Sequence, residues 1–265
     1  MKSWLAITAI LVSLSCENGA HHEENANTSK DKVAKDLSEK VIKNPDSTGL
    51  RMRLINSLDS LKQYDVAIAH TDSLIARDSM NEGLWLTEAH LQENNKDTAN
   101  AIKSYERAIR IYPAVEAQLY LANLFAETKN PKALWLCTNV LRMGLGRETD
   151  ASCSFIAAVY FSRIGNTKKA IEGFDKAIGD QYTLIDAYLE KGFIYFDAKN
   201  YPEALKVFET AQKVNNANAE VYYWIAKCNE QMGNKQEALL SYEHAFALDK
   251  QLKEAGEGVN RLNSK

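Results

Sequence analysis

Small residues recur in this chain at a fixed step of 34 positions. Ala170, Ala204 and Ala238 form one series, and Ala177, Ala211 and Ala245 form a second. Phe174, Phe208 and Tyr242 keep the same step, as do Ala158, Gly192 and Ala226 upstream. Four parallel series at one spacing mark an internal repeat, in which each unit must stack on its neighbours to bury its faces. Strand-like alternation is scarce, and Ala, Leu, Lys and Glu dominate with aromatics at helical spacing, so the unit is helical.

The register resembles the tetratricopeptide repeat, with a large residue at position 4, a small one at 8, an aromatic near 11, Ala at 20, an aromatic at 24, Ala at 27 and Pro at 32. The unit 219–252 carries Tyr222, Ala226, Ala238, Tyr242 and Ala245, with Asn229 in place of the aromatic at 11 and Lys250 in place of Pro. The unit 185–218 carries Tyr188, Gly192, Tyr195, Ala204, Phe208 and Ala211; the unit 151–184 carries Ala158, Phe161, Gly165, Ala170, Phe174 and Ala177. Earlier copies are weaker. Residues 82–114 offer Trp85, Ala89, Ala101, Tyr105, Ala108 and Pro113, while 48–81 keep Leu54, Leu58 and Ala67 but have Thr71 where the aromatic belongs. Residues 115–150 show Ala122, Phe125 and Ala133 with a shortened turn and an irregular tail.

The resemblance covers roughly residues 48–252. It implies an all-α, right-handed superhelical solenoid of about six helix–turn–helix units with short capping helices. The physical reason for the pattern is close packing: small residues let helix backbones approach, and each buried aromatic contributes roughly 2 kcal/mol. Residues 31–47 are expected to form an N-terminal capping helix and 253–265 a C-terminal one weakened by Gly256 and Gly258. Two glycines in 142–150 predict a kink between a first block of three repeats (48–150) and a second (151–252).

The N-terminal sequence MKSWLAITAILVSLSC has one Lys, an apolar stretch and a Cys. As a helix the stretch spans roughly 16 Å, too short for the roughly 30 Å membrane core, so residues 1–16 are expected to be a signal peptide. Ser13-Leu14-Ser15-Cys16 resembles a lipobox, which implies a lipidated Cys16 and attachment to a bacterial envelope membrane, the outer one, through lipid alone. Residues 17–30 are polar and aperiodic and are expected to be a flexible tether. His21 and His22 within it lack further fixed ligands, so no metal site is expected.

A net charge of -3 without a basic stripe argues against nucleic acid as a partner. GLGRET lacks the Gly-Lys-Ser/Thr ending of a phosphate loop, and neither HExxH nor GxSxG occurs. No cofactor and no catalytic residue is expected, and His90 and His244 stand alone. Cys137, Cys153 and Cys228 fit small buried hydrophobes, with a Cys137–Cys153 disulfide as the alternative.

The resemblance implies a protein or peptide partner in a concave groove lined by positions 2, 5, 9 and 12 of each first helix. In the second block these are Ser152, Phe155, Val159 and Ser162, then Asp186, Leu189, Phe193 and Phe196, then Glu220, Tyr223, Lys227 and Glu230, flanked by Arg163, Glu190, Asp197 and Trp224. Such a groove has an aromatic floor and acidic margins. Either it takes a segment with apolar and basic residues, or its rings pack internally beneath a solvated face. The carboxylate clamp of chaperone-binding members is absent, since only Asn56 matches it. The expected function is an envelope-anchored scaffold that assists complex assembly; the alternative is a solute- or glycan-binding lipoprotein. The sequence sets no oligomeric state.

Overall fold

The computed structural model describes residues 19–264; the expected leader and Cys16 lie outside the described residues. Among the described residues the chain is all-α, with fourteen helices and no strand. Six helix pairs follow one another: α2 (Thr48–Ser60) and α3 (Tyr64–Ile75), α4 (Glu82–Asn94) and α5 (Thr98–Ile111), α6 (Val115–Glu127) and α7 (Lys132–Leu141), α8 (Arg147–Arg163) and α9 (Thr167–Asp180), α10 (Ile185–Asp197) and α11 (Tyr201–Val214), α12 (Ala219–Met232) and α13 (Lys235–Leu248). Helix α1 (Gly19–Lys43) packs on α2, and α14 (Lys253–Asn263) packs on α13. The helices gather into two compact units that divide between Ala117 and Gln118.

One backbone device closes all six pairs. Lys62, Lys96, Lys129, Gly165, Lys199 and Gly233 each adopt a left-handed φ between 59° and 83° at the end of a first helix. The residue after each donates its N–H five residues back: Gln63 to Leu58 O (2.9 Å), Asp97 to Gln92 O (2.8 Å), Asn130 to Phe125 O (2.7 Å), Asn166 to Phe161 O (2.8 Å), Asn200 to Tyr195 O (2.9 Å) and Asn234 to Asn229 O (2.9 Å). This is the Schellman closure, which satisfies carbonyls left open where a helix stops. The left-handed residues lie at steps of 34, 33, 36, 34 and 34 positions, so the period is a backbone property as well as a packing one. Glycine takes this conformation freely, whereas a side chain meets the following carbonyl. Four of the six turns therefore carry a strained lysine.

Beyond each turn the alanine at repeat position 20 (Ala67, Ala101, Ala133, Ala170, Ala204, Ala238) is fully buried. Position 24 holds Thr71, Tyr105, Cys137, Phe174, Phe208 and Tyr242, all buried. Contact is tight enough that a Cβ on Gly192 would overlap the Phe208 ring. In the first unit Leu37 and Val41 of α1, Leu54, Ile55 and Leu58 of α2, Leu74 of α3 and Leu91 of α4 form one core. Glu88 of α4 is buried beside it. Its Oε1 accepts from Gln92 Nε2 (2.9 Å) and faces the Ser104 hydroxyl (3.3 Å), while Oε2 has no partner. Burial first, then the Asp72 carboxylate of α3, pushes Glu88 up to about 7. The folded chain thus holds this proton at pH values where the unfolded chain has released it, so the unit loses stability as pH rises from the ordinary 4.5 towards 7.

Two expectations change, and a third gains a physical reason. The segment expected as a tether is helical from Gly19, because it contains no proline and, after Gly19, no glycine. Extending a helix already nucleated by packing adds one hydrogen bond per residue fixed. The expected kink at 142–150 is instead a turn over 142–146: α8 begins at Arg147 and packs directly on α7. Glu148 and Asp150 in its first turn complement the helix dipole and support this early start. Gly258 of α14 has a packing reason, since a Cβ there would come within 2.8 Å of the Tyr242 ring. The glycine is what lets the cap seat.

Replacing Lys199 by Gly relieves the left-handed strain and is expected to raise stability by about 0.5–1 kcal/mol in urea unfolding. The same replacement at Lys206, exposed within α11, is expected to lower it by about 1 kcal/mol. Equal effects at the two positions would contradict the strain.

Candidate functional site

The first helices α8, α10 and α12 of the second unit carry the expected binding residues, and their side chains link along the row. Phe155 of α8 is half-buried against Phe174 (ring centroids 5.7 Å). Phe193 of α10 meets Phe208 (5.9 Å) and Trp224 of α12 (4.7 Å); Phe196 meets Trp224 and Tyr201, both at 5.2 Å. Tyr223 lies against Trp224 (5.5 Å) and Tyr242 (5.8 Å). The rings pack on one another yet stay half-buried, forming a wall rather than a set of free anchors. Val159 and Leu189 are each 1% exposed, so they support the wall from below and touch no partner.

Charge on this face is unevenly compensated. Arg163 at the end of α8 donates to Glu127 of α6 through Nε (2.8 Å) and Nη2 (2.9 Å), and to both Glu190 oxygens on α10 (2.9 Å each). One guanidinium thereby joins three successive first helices. Burial opposes its charge, but the four bonds outweigh that and hold Arg163 above its ordinary range. Glu190 is 4% exposed and depends on this partner. Asp186, one turn earlier on α10, and Glu220, at the same position on α12, have no ion-pair partner among the described residues. Glu220 Oε1 accepts only a 3.4 Å bond from Trp224 Nε1. Burial, and then the neighbouring carboxylates, raise both acids: Glu190 acts on Asp186, and Asp186 with Glu190 acts on Glu220.

The remaining expected residues diverge. Lys227 is half-buried on α12. Glu230 is bound inside the structure: Arg261 of α14 donates to it twice (2.9 and 2.8 Å) and Tyr242 donates at 2.7 Å. The Arg261 bonds first, then Tyr242, hold Glu230 below the usual carboxylate range. Tyr105 donates to Glu93 in the same way at 2.9 Å, so Tyr at position 24 recurs with Glu at position 12. Where position 24 is Phe, position 12 is Ser162 or Phe196. The structure therefore brings together Asp186, Phe193, Phe196 and Glu220 with Trp224, while Phe155 and Glu230 serve adjoining contacts. The Arg163 clamp was not anticipated; its signal was opposite charges at facing positions of neighbouring first helices.

Comparison with known proteins agrees with the repeated helix-pair fold. The family model described as "TPR repeat" matches residues 192–233, and the one described as "Tetratricopeptide repeat" matches 83–115 and 219–252. Among curated proteins, the bovine (Bos taurus) protein SGT1 homolog is 33% identical over 73 residues, covering 28% of this chain and 22% of that protein. The Hsp70-Hsp90 organizing protein of Triticum aestivum is 22% identical over 198 residues, covering 64% of this chain and 33% of that protein. The chain thus spans between about a fifth and a third of the length of these relatives. Among solved structures, a tetratricopeptide repeat protein from Parabacteroides merdae aligns over 92% of this chain and 96% of its own, at a TM-score of 0.71 and 16% identity.

Arg163→Ala leaves Glu190 buried without a counter-charge and is expected to cost about 3 kcal/mol in urea unfolding. Adding Glu190→Gln in that background is expected to recover part of the loss. A double variant as unstable as the sum of both single changes would remove the clamp from the argument.

Proposed function

We propose, from the premise that this chain is a tetratricopeptide-repeat protein, that it is a non-catalytic adaptor whose second unit binds a partner segment bearing basic and apolar side chains. The observation that carries this reading is the pair Asp186 and Glu220, half-buried, mutually repelling and without a cation of their own, beside the half-exposed wall of Phe193, Phe196 and Trp224. A Lys or Arg from a partner relieves the repulsion and stacks on the rings, while its apolar neighbours cover them. The likeness to a protein named as an Hsp70-Hsp90 organizing protein supports a protein rather than a small molecule as the guest. No helix among the described residues is long and apolar enough to cross a membrane. In our reading the chain is held at a bacterial envelope membrane by lipid on Cys16, supported by the apolar run and the cysteine that ends it.

Selection of binding peptides from a random library, followed by fluorescence anisotropy, tests the first part. Selected peptides are expected to be rich in Lys or Arg next to apolar residues. The double variant Asp186→Asn, Glu220→Gln is expected to weaken them about tenfold and flatten the salt dependence. Acidic peptides, or binding untouched by the double variant, would refute the assignment. Metabolic labelling with an alkyne fatty acid in a bacterial host tests the second: label is expected on the full chain and lost in Cys16→Ser. Label retained by that variant, or absent from the wild-type chain, overturns the anchor.

A further inference from the structure

Position 24 of the repeat is filled by an aromatic ring in the pairs α4–α5, α8–α9, α10–α11 and α12–α13, but by Cys137 in α6–α7. A thiol is far smaller than a ring. A cavity of about 360 Å³ lies between α7 and α9, with α8 as its floor. Its floor is of small residues, Ser154, Ala157 and Ala158, with Gly173 on α9 against Ala158. Its rim is formed by the exposed residues Thr138, Leu141, Lys169 and Lys176, so it opens to solvent. Two cysteines line it, Cys137 from α7 and Cys153 from α8, and neither is in a disulfide.

We propose that Cys137 and Cys153 form a thiol-modification site, in which Cys153 is the attacking sulfur and Cys137 the resolving one, for low-molecular-weight disulfides that enter this cavity. The thiols are on adjacent, directly packed helices and line the same cavity. The neighbouring Cys137 thiol first, with the nearby Lys176 ammonium, favours the Cys153 thiolate over burial and the Asp150 carboxylate, which oppose it. The Cys153 sulfur, and then burial, keep the proton on Cys137. Cys228 is the internal contrast: it lines no such cavity, and burial, then Glu209, push it up to about 12.

The chemistry balances by thiol–disulfide exchange. The Cys153 thiolate attacks one sulfur of the small disulfide, forming a mixed disulfide and expelling one small thiolate. Cys137 then attacks the Cys153 sulfur, expelling the second small thiolate, and its proton passes to that leaving group. Two protein thiols are oxidised to one protein disulfide, and one small disulfide is reduced to two small thiols.

Oxidised glutathione is the probe, applied to the folded full chain, with every cysteine followed by peptide mapping without reductant. The wild-type chain is expected to yield a Cys137–Cys153 linked peptide and become two hydrogens lighter. Cys137→Ser is expected to stop at one glutathione on Cys153, and Cys153→Ser to leave Cys137 unmodified over the same time. Cys137→Phe, which places at position 24 the ring found in four of the other pairs and crowds the cavity that Cys137 lines, is expected to protect Cys153 without unfolding the chain. Absence of the linked peptide in the wild-type chain, modification of Cys228 as fast as Cys153, or an unprotected Cys153 in Cys137→Phe would each overturn the proposal.

Discussion

Close approach of helix backbones is the constraint from which the rest follows. Two helices can meet at the spacing seen here only where a facing side chain is nearly absent, and Ala170, Ala204, Ala238 and Gly192 supply that at regular intervals. Once backbones are that near, the ring at position 24 has one place to go, beneath the first helix of its own pair. The turn must then be short and closed, and the left-handed residue with its five-residue-back hydrogen bond is the shortest closure that leaves no carbonyl stranded. Packing, ring placement and turn geometry are thus one requirement expressed at three positions.

Much of this was legible because the relevant residues are extreme in size. An alanine series declares itself in a sequence, and so does an aromatic series. The turns were less legible. Gly165 and Gly233 announced a left-handed residue, but Lys62, Lys96, Lys129 and Lys199 gave no hint, since lysine carries no preference for that conformation and accepts it only when flanking helices over-determine the backbone. The early start of α8 was hidden for a related reason: Gly144 and Gly146 punctuate the chain, yet the acids that follow stabilise a helix N-terminus at once. The helical stretch from Gly19 is invisible to any argument based on hydrophobic periodicity, because its residues bring no apolar stripe and extend a helix anchored further on by Ala34, Leu37 and Val41.

On the first-helix face, position in the repeat told which residues would gather but not which were already engaged. Glu230 and Asp186 occupy comparable places in the pattern. One is satisfied by Arg261 and Tyr242 from within the chain, and the other has no cation to meet. Sequence spacing cannot tell these apart, because the distinction depends on residues 12 to 31 positions away in the chain. The Arg163 clamp shows the same economy. One half-buried guanidinium neutralises two acids and fixes the lateral order of α6, α8 and α10, leaving Asp186 and Glu220 beyond its reach as the uncompensated part of the surface.

The turn between α7 and α8 has a wider meaning. Residues 142–146 are exposed and lie within the 36-residue step from Lys129 to Gly165, and Gly144 and Gly146 there have open space around them but positive φ values that keep both positions for glycine. Length added in this exposed turn would lie outside the packed faces, whereas length added within a pair would break its closure. A designer who wishes to graft a reporter, an epitope or a second binding loop has a permissive seam in this exposed turn.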